Sequence, residues 1–112
     1  MYWEQSLETM ERRELESHQL RLLNASLAVA RRSAHYGRVL AHLPESGLPG
    51  LQALQELPLT GKAELRAAFP YGFLAVAPEE VVRLHSSSGT TGNPTVVFHT
   101  RGDIAEWANL IA

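Results

Sequence analysis

Apolar residues early in the chain recur at helical spacing. Leu20, Leu23, Leu27, Ala30 and Ala34 follow one another at steps of three and four, which places them on one face of a helix. No Gly or Pro interrupts the run from Leu7 to Ala34, so one helix is predicted over residues 7–34. Glu8, Glu11 and Glu14 near its start, and Arg31 and Arg32 near its end, suit the helix dipole. The stretch "ERRELESHQ" is dense in charge and open to fraying or to forming a separate helical turn; a break near Asn24 is allowed but not required. Next, in "HYGRVLAHLPESGLPG", Gly37 is a candidate bend and Val39, Leu40 and Leu43 are available for packing. Pro44, Gly47, Pro49 and Gly50 mark a loop. "LQALQEL" suits two helical turns ended by Pro58. Thr60 is the expected N-cap of a further helix with Leu65, Ala68 and Phe69 on its apolar side, stopped by Pro70 and Gly72.

The pattern changes at Pro78. Val81, Val82 and Leu84 in "EEVVRLHSSS" and Val96, Val97 and Phe98 in "TVVFHT" predict two short strands, joined as a hairpin by a glycine-containing loop. Thr100 or Asp103 then caps a last helix, roughly residues 103–112. The expected fold class is α+β: predominantly α-helical, with a small β element around the glycine loop. The expected division is a helical segment, 1–77, and a strand–loop–strand–helix unit, 78–112. The chain stops inside this last helix, so either the helix is terminal or this is the front piece of a longer protein.

Composition narrows the function. The chain has 112 residues and is 45% hydrophobic, enough for one modest core. Formal net charge is -2 with both signs interspersed, and no basic run lines up phosphates, so nucleic acid is not an expected partner. Cysteine is absent, which removes disulfides, thiolate zinc sites and a cysteine nucleophile, and fits a reducing cytoplasm. The N-terminus is acidic, unlike a signal peptide, and no apolar run is long enough to cross a bilayer, so no membrane partner is expected.

The chemistry concentrates in "HSSSGTTGNPT", residues 85–95. Gly89 and Gly92 permit positive φ and close backbone approach, and successive amides in such a turn form an anion nest. Ser86, Ser87, Ser88, Thr90 and Thr91 add hydroxyls able to donate to phosphate oxygens or to reach magnesium, and Pro94 stiffens the exit. The spacing is neither a Walker A loop nor a dinucleotide-binding glycine motif. A surface turn is the competing reading, since Ser, Thr and Gly are ordinary turn residues.

The order of residues is more specific. "SSSGTTGNPT" closely resembles the phosphate-binding loop of the adenylate-forming acyl- and aryl-CoA synthetases. Thr95 stands where many members carry Lys, as in the phenylacetate-CoA ligase branch. "LPLTGKAELRAAFPYGFLAV" and "DIAEWANLIA" are similar to that branch's neighbouring stretches. The likeness is strongest from Val82 to Ala112, good from Leu57 to Val76 and weak before that. "AHYGRVL" departs from the Pro-Phe-Tyr-Arg of many relatives, which bears on packing more than chemistry.

The resemblance implies the N-terminal part of an adenylate-forming enzyme's large domain. It implies a two-step reaction: ATP and an aryl acid give an acyl-adenylate and pyrophosphate, and coenzyme A then displaces AMP. Ser87, Ser88, Gly89, Thr90, Thr91 and Gly92 would hold the β- and γ-phosphates with Mg2+, with Ser86 and Thr95 at the margins. The family's adenine-stacking aromatic, ribose- and magnesium-binding acids and catalytic lysine lie beyond these residues, and Lys62 belongs to a different motif. No catalytic residue and no metal ligand is therefore assigned, and the chain alone is expected to be inactive. Apolar faces cut from a larger body favour association, so a homo-oligomer is expected, most simply a dimer, with element exchange as one route. The rival reading is a stand-alone helical interaction or regulatory protein that keeps the loop as a relic.

Other residues invite blander readings. The five histidines match no metal-ligand spacing. His85 and His99 flank the loop as ligand-contact candidates, or as plain strand-end residues. Trp107 is expected to pack as helix core, and the aromatics of "FPYGF" to serve packing rather than an acid pocket. Glu79 and Glu80 read as a solvated pair.

Overall fold

A computed structural model describes residues 1–88, 92 and 94–111. The helices are α1 (Gln5–Glu8), α2 (Arg12–Ala30), α3 (Ala34–Val39), α4 (Lys62–Ala67) and α5 (Arg101–Ile111), with two strands, β1 (Val81–Ser87) and β2 (Thr95–Thr100), between α4 and α5. The α+β class with a helical majority is what the sequence predicts.

The single helix expected over residues 7–34 is three. Polar side chains, not Gly or Pro, make the breaks. The Glu11 carboxylate accepts from the backbone N–H of Arg13 and Glu14, so α2 starts there. Ser33, extended at φ -74° and ψ 152°, accepts from Tyr36 N–H and donates to the Ala30 carbonyl, closing α2 and opening α3. Such side chains offer the backbone an alternative to the helix ladder. Ala34 consequently falls in a different helix from Leu20, Leu23, Leu27 and Ala30.

α2 is unbroken at Asn24, whose side chain ties down the following loop instead. Its amide donates to the Leu48 carbonyl (3.0 Å) and accepts from Leu48 N–H (2.8 Å). Gly47, at φ +84°, turns the chain so that Leu48 can meet it. Arg31 holds the same loop from the helix end, donating to the carbonyls of Leu43 and Pro44 at 2.9 Å each. Leu27, Leu40, Leu48 and Ala53 form the buried core, with Leu20, Leu23, Tyr36, Val39, Leu43 and Leu57 packed against it.

"LQALQEL" forms the two helical turns expected, as a 3-10 helix, Leu51–Glu56. Leu57, before Pro58, is extended (ψ 139°), as the proline ring requires of its predecessor. The N-cap of α4 is Gly61, not Thr60: Gly61 N–H donates to the Glu64 carboxylate at 2.9 Å, and the Thr60 hydroxyl is engaged with Tyr36 Oη at 2.7 Å. A tertiary partner thus takes the hydroxyl that the local pattern assigned to capping.

β1 and β2 pair antiparallel, with Leu84 opposite Phe98, Ser86 opposite Val96 and Ser87 opposite Thr95. Side chains alternate between the two faces of such a ribbon. On one face Phe98 stacks on Tyr71 of the segment after α4, at 5.6 Å between ring centroids. On the other, His85 and His99 meet Trp107 of α5. α5 starts at Arg101, two residues earlier than expected. Thr100 and Asp103 both cap it: Asp103 N–H donates to Thr100 Oγ1, while the Asp103 carboxylate accepts from Thr100 N–H (2.7 Å) and its hydroxyl (2.9 Å).

Candidate functional site

The hairpin carries "SSSGTTGNPT" at its tip, and its register decides where the described hydroxyls go. Ser86 and Ser87 are consecutive in β1 and therefore project to opposite faces. Ser87 Oγ is hydrogen-bonded to Thr95 Oγ1 across the ladder, which clasps the two strands at the base of the loop. Ser86, Ser87 and Ser88 are all exposed. Gly92 adopts φ +94°, a conformation that side chains rarely tolerate, and among the described residues nothing lies within 4 Å of the position its Cβ would occupy. Gly89, Thr90 and Thr91, the centre of the predicted site, lie outside the described residues, as does Asn93.

The base of the hairpin is aromatic. His85 and His99 are diagonal neighbours on one face, with ring centroids 4.8 Å apart, and Trp107 lies edge-on to His85 (5.5 Å) and stacked over His99 (6.0 Å). Trp107 is 44% exposed, so it is a lid on this pair and not the core residue expected. His99 Nε2 is buried without a hydrogen-bond partner among the described residues. The sequence shows both histidines beside the loop, but only the register brings them onto one face. The Thr100 hydrogen bonds, chiefly that from its backbone, hold the Asp103 carboxyl below the usual aspartate range, with the nearby His99 adding a smaller pull the same way. No three metal-ligating groups converge among the described residues.

The remaining candidates take structural roles. Glu80 accepts from Ala77 N–H at 3.1 Å in the turn before β1. Phe73 packs on His35 and Tyr36, with ring centroids at 4.3 and 5.4 Å.

Known proteins are similar to this chain in sequence. The phenylacetate-coenzyme A ligase of Thermus thermophilus is 41% identical over 115 residues, an alignment covering 100% of this chain and 26% of the relative. The chain belongs to the phenylacetate-CoA ligase family. The ligase of the same name from Pseudomonas putida is 60% identical over 62 residues, 55% of this chain and 14% of its own length. That from Escherichia coli is 52% identical over 62 residues, again 55% of this chain and 14% of the relative. The chain thus spans about a quarter or less of the curated relatives it matches. No protein-family model matches it. No described helix is long and apolar enough to cross a membrane.

Proposed function

We propose that this chain is the N-terminal segment of a cytoplasmic, ATP-dependent ligase that joins phenylacetate or a related aryl acid to coenzyme A. Residues 1–77 form its helical front and residues 78–112 the start of its adenylation unit. The hairpin tip, Ser86, Ser87, Ser88, Gly89, Thr90, Thr91, Gly92 and Thr95, holds the β- and γ-phosphates of ATP. The observation carrying this reading is Gly92: in a family of ligases, it sits at positive φ with no described side chain or backbone atom against its Cβ position, at the end of a strand pair that presents hydroxyls.

The physical logic is charge stabilisation at the departing pyrophosphate. Backbone N–H groups and hydroxyls fixed before substrate arrives need no reorganisation as charge develops. The Ser87–Thr95 hydroxyl pair keeps the tip from splaying. Ser86 and Ser88, both exposed, supply further donors. Magnesium enters this reading as the companion of the triphosphate, where it would share the phosphate charge and accept hydroxyl oxygens as ligands. The aryl acid and coenzyme A are bound by the rest of the ligase, and the isolated segment is inactive. Its exposed Leu84, Val97, Leu110 and Ile111 favour a dimer.

Two measurements test this. Magnesium-dependent binding of ATP or pyrophosphate to the chain should be weak and should vanish in Gly92→Val, whose β-branched side chain resists the required φ; undiminished binding by that variant removes the loop from the site. Acid-dependent pyrophosphate release by the 112 residues alone should be absent. Turnover there would overturn the assignment as a partial enzyme.

A further inference from the structure

The register of the hairpin builds a histidine pair that spacing along the chain hides. Arg83 lies opposite His99 and His85 opposite Val97, so the two histidines share one face as diagonal neighbours. Their ring centroids are 4.8 Å apart. Two of the other histidines are engaged differently: His18 meets Arg21 at 2.6 Å, and His35 lies against Tyr36 and Phe73. His99 Nε2 is buried without a hydrogen-bond partner, the one side-chain nitrogen or oxygen in that condition among the described residues. Buried polar atoms are normally satisfied, so an orphan of this kind calls for a bonding partner.

A neutral imidazole nitrogen bonds a transition-metal ion at about 2.0–2.1 Å, which puts the ring centroid about 3.2 Å from the ion. Two such rings at a near-tetrahedral ligand angle have centroids about 5 Å apart. The 4.8 Å separation of His85 and His99 matches that spacing. Trp107 braces both rings, edge-on to His85 at 5.5 Å and stacked on His99 at 6.0 Å. The Thr100–Asp103 cap fixes the start of the helix that carries it. The Asp103 carboxylate, bonded to Thr100, is near enough to interact with His99 and adds negative charge beside the pair. The opposing charge on this face is Arg83, exposed, whose flexible stem keeps its guanidinium in water. His85 is exposed too, so the pair is open on that side to an ion and to the waters that complete its shell.

We propose that His85 and His99 together bind a divalent transition-metal ion of the zinc class, with water in its remaining positions. His99 contributes Nε2, and His85 contributes one ring nitrogen. Imidazole ligands select against Mg2+, which demands oxygen. Two protein ligands leave the ion exchangeable, unlike a structural zinc site with four. The bound ion cross-links β1 to β2 between the Ser87–Thr95 clasp and the start of α5, and stabilises the hairpin by mass action. The site is separate from the hairpin tip and does not rest on the phosphate reading.

Zn2+ is the probe, titrated into the 112-residue chain while backbone amide and histidine-ring NMR signals are followed. The largest ring shifts should fall on His85 and His99, and the smallest on His18, His35 and His42. His85→Gln, at an exposed position, should weaken zinc binding by about tenfold or more, because one of two ligands is lost. His99→Gln should weaken it to a similar degree. Mg2+ at equal concentration should not displace zinc. In Trp3→Phe, which leaves Trp107 as the only tryptophan, Ni2+ should quench the fluorescence, and His85→Gln should abolish that quenching. Zinc affinity unaltered in both histidine variants, ring shifts centred on His18 or His42, amide shifts centred on Gly92, displacement by equal Mg2+, or nickel quenching that survives His85→Gln would each overturn the proposal.

Discussion

The two halves of the chain are built on different terms. From Leu20 to Leu57, apolar side chains converge on Leu27, Leu40, Leu48 and Ala53, and every one of these four is at most 9% exposed. From Val81 to Ile111, no described residue is buried, although the segment is rich in Val, Leu and Ile. The first half keeps its shape by excluding water. The second keeps it by a backbone ladder, one cap and a few aromatic contacts, and a two-stranded ribbon on such terms is marginal in water. The phosphate role proposed for the hairpin tip would therefore depend on whatever the second half packs against.

The sharpest way to break this contrast is to truncate one leucine in each half. Leu40→Ala should destabilise the chain by about 2–5 kcal/mol in urea unfolding, because it empties a filled core position. Leu84→Ala should cost within about 0.5 kcal/mol, as an exposed side chain does. Comparable losses would mean that Leu84 is covered in solution, by a second copy in the dimer proposed above.

Asn24→Ala comes next. It strips both hydrogen bonds from the backbone of Leu48, which is 5% exposed, and should cost about 1–3 kcal/mol. A smaller loss would show that the first half holds its loop by apolar contact alone.

In the second half, Asp103→Ala removes half of the α5 cap and should cost about 1 kcal/mol, read as lost helicity by circular dichroism. The same cap sets a pH dependence. The folded state lowers the Asp103 pKa, so its contribution is present above the ordinary aspartate value and is lost as pH falls below about 4. The acid limb of the α5 signal should therefore flatten in Asp103→Ala. The smallest effect is expected at the exposed Arg12–Glu16 pair of α2, 2.7 Å apart: Arg12→Ala should change stability by no more than about 0.5 kcal/mol and less in high salt.

Local chemistry was most legible where one residue type has one use. β-branched runs around a Ser/Thr/Gly stretch define the hairpin, and Val81–Ser87 and Thr95–Thr100 form it with the tip between them. The Leu20, Leu23, Leu27 stripe likewise faces the core. The reading failed where a polar side chain had two possible partners. Ser33 and Glu11 look like ordinary helix-surface residues in sequence, yet each caps a helix. Thr60 has the look of a cap and instead bonds Tyr36. Trp107 is apolar enough for a core, but the residues on hand leave it as a lid over two histidines.

What the sequence determined by itself is the set of short-range choices: strand against helix, the glycine that can take positive φ, and the loop whose residue order marks the ligase family. Those depend on neighbours a few positions away, and the backbone enforces them. Tertiary structure decided the rest. It set His85 beside His99, and left His35 buried at the edge of a hollow with Arg38. Each of these depends on which distant group arrives first to satisfy a donor or fill a space, and spacing along the chain does not carry that information.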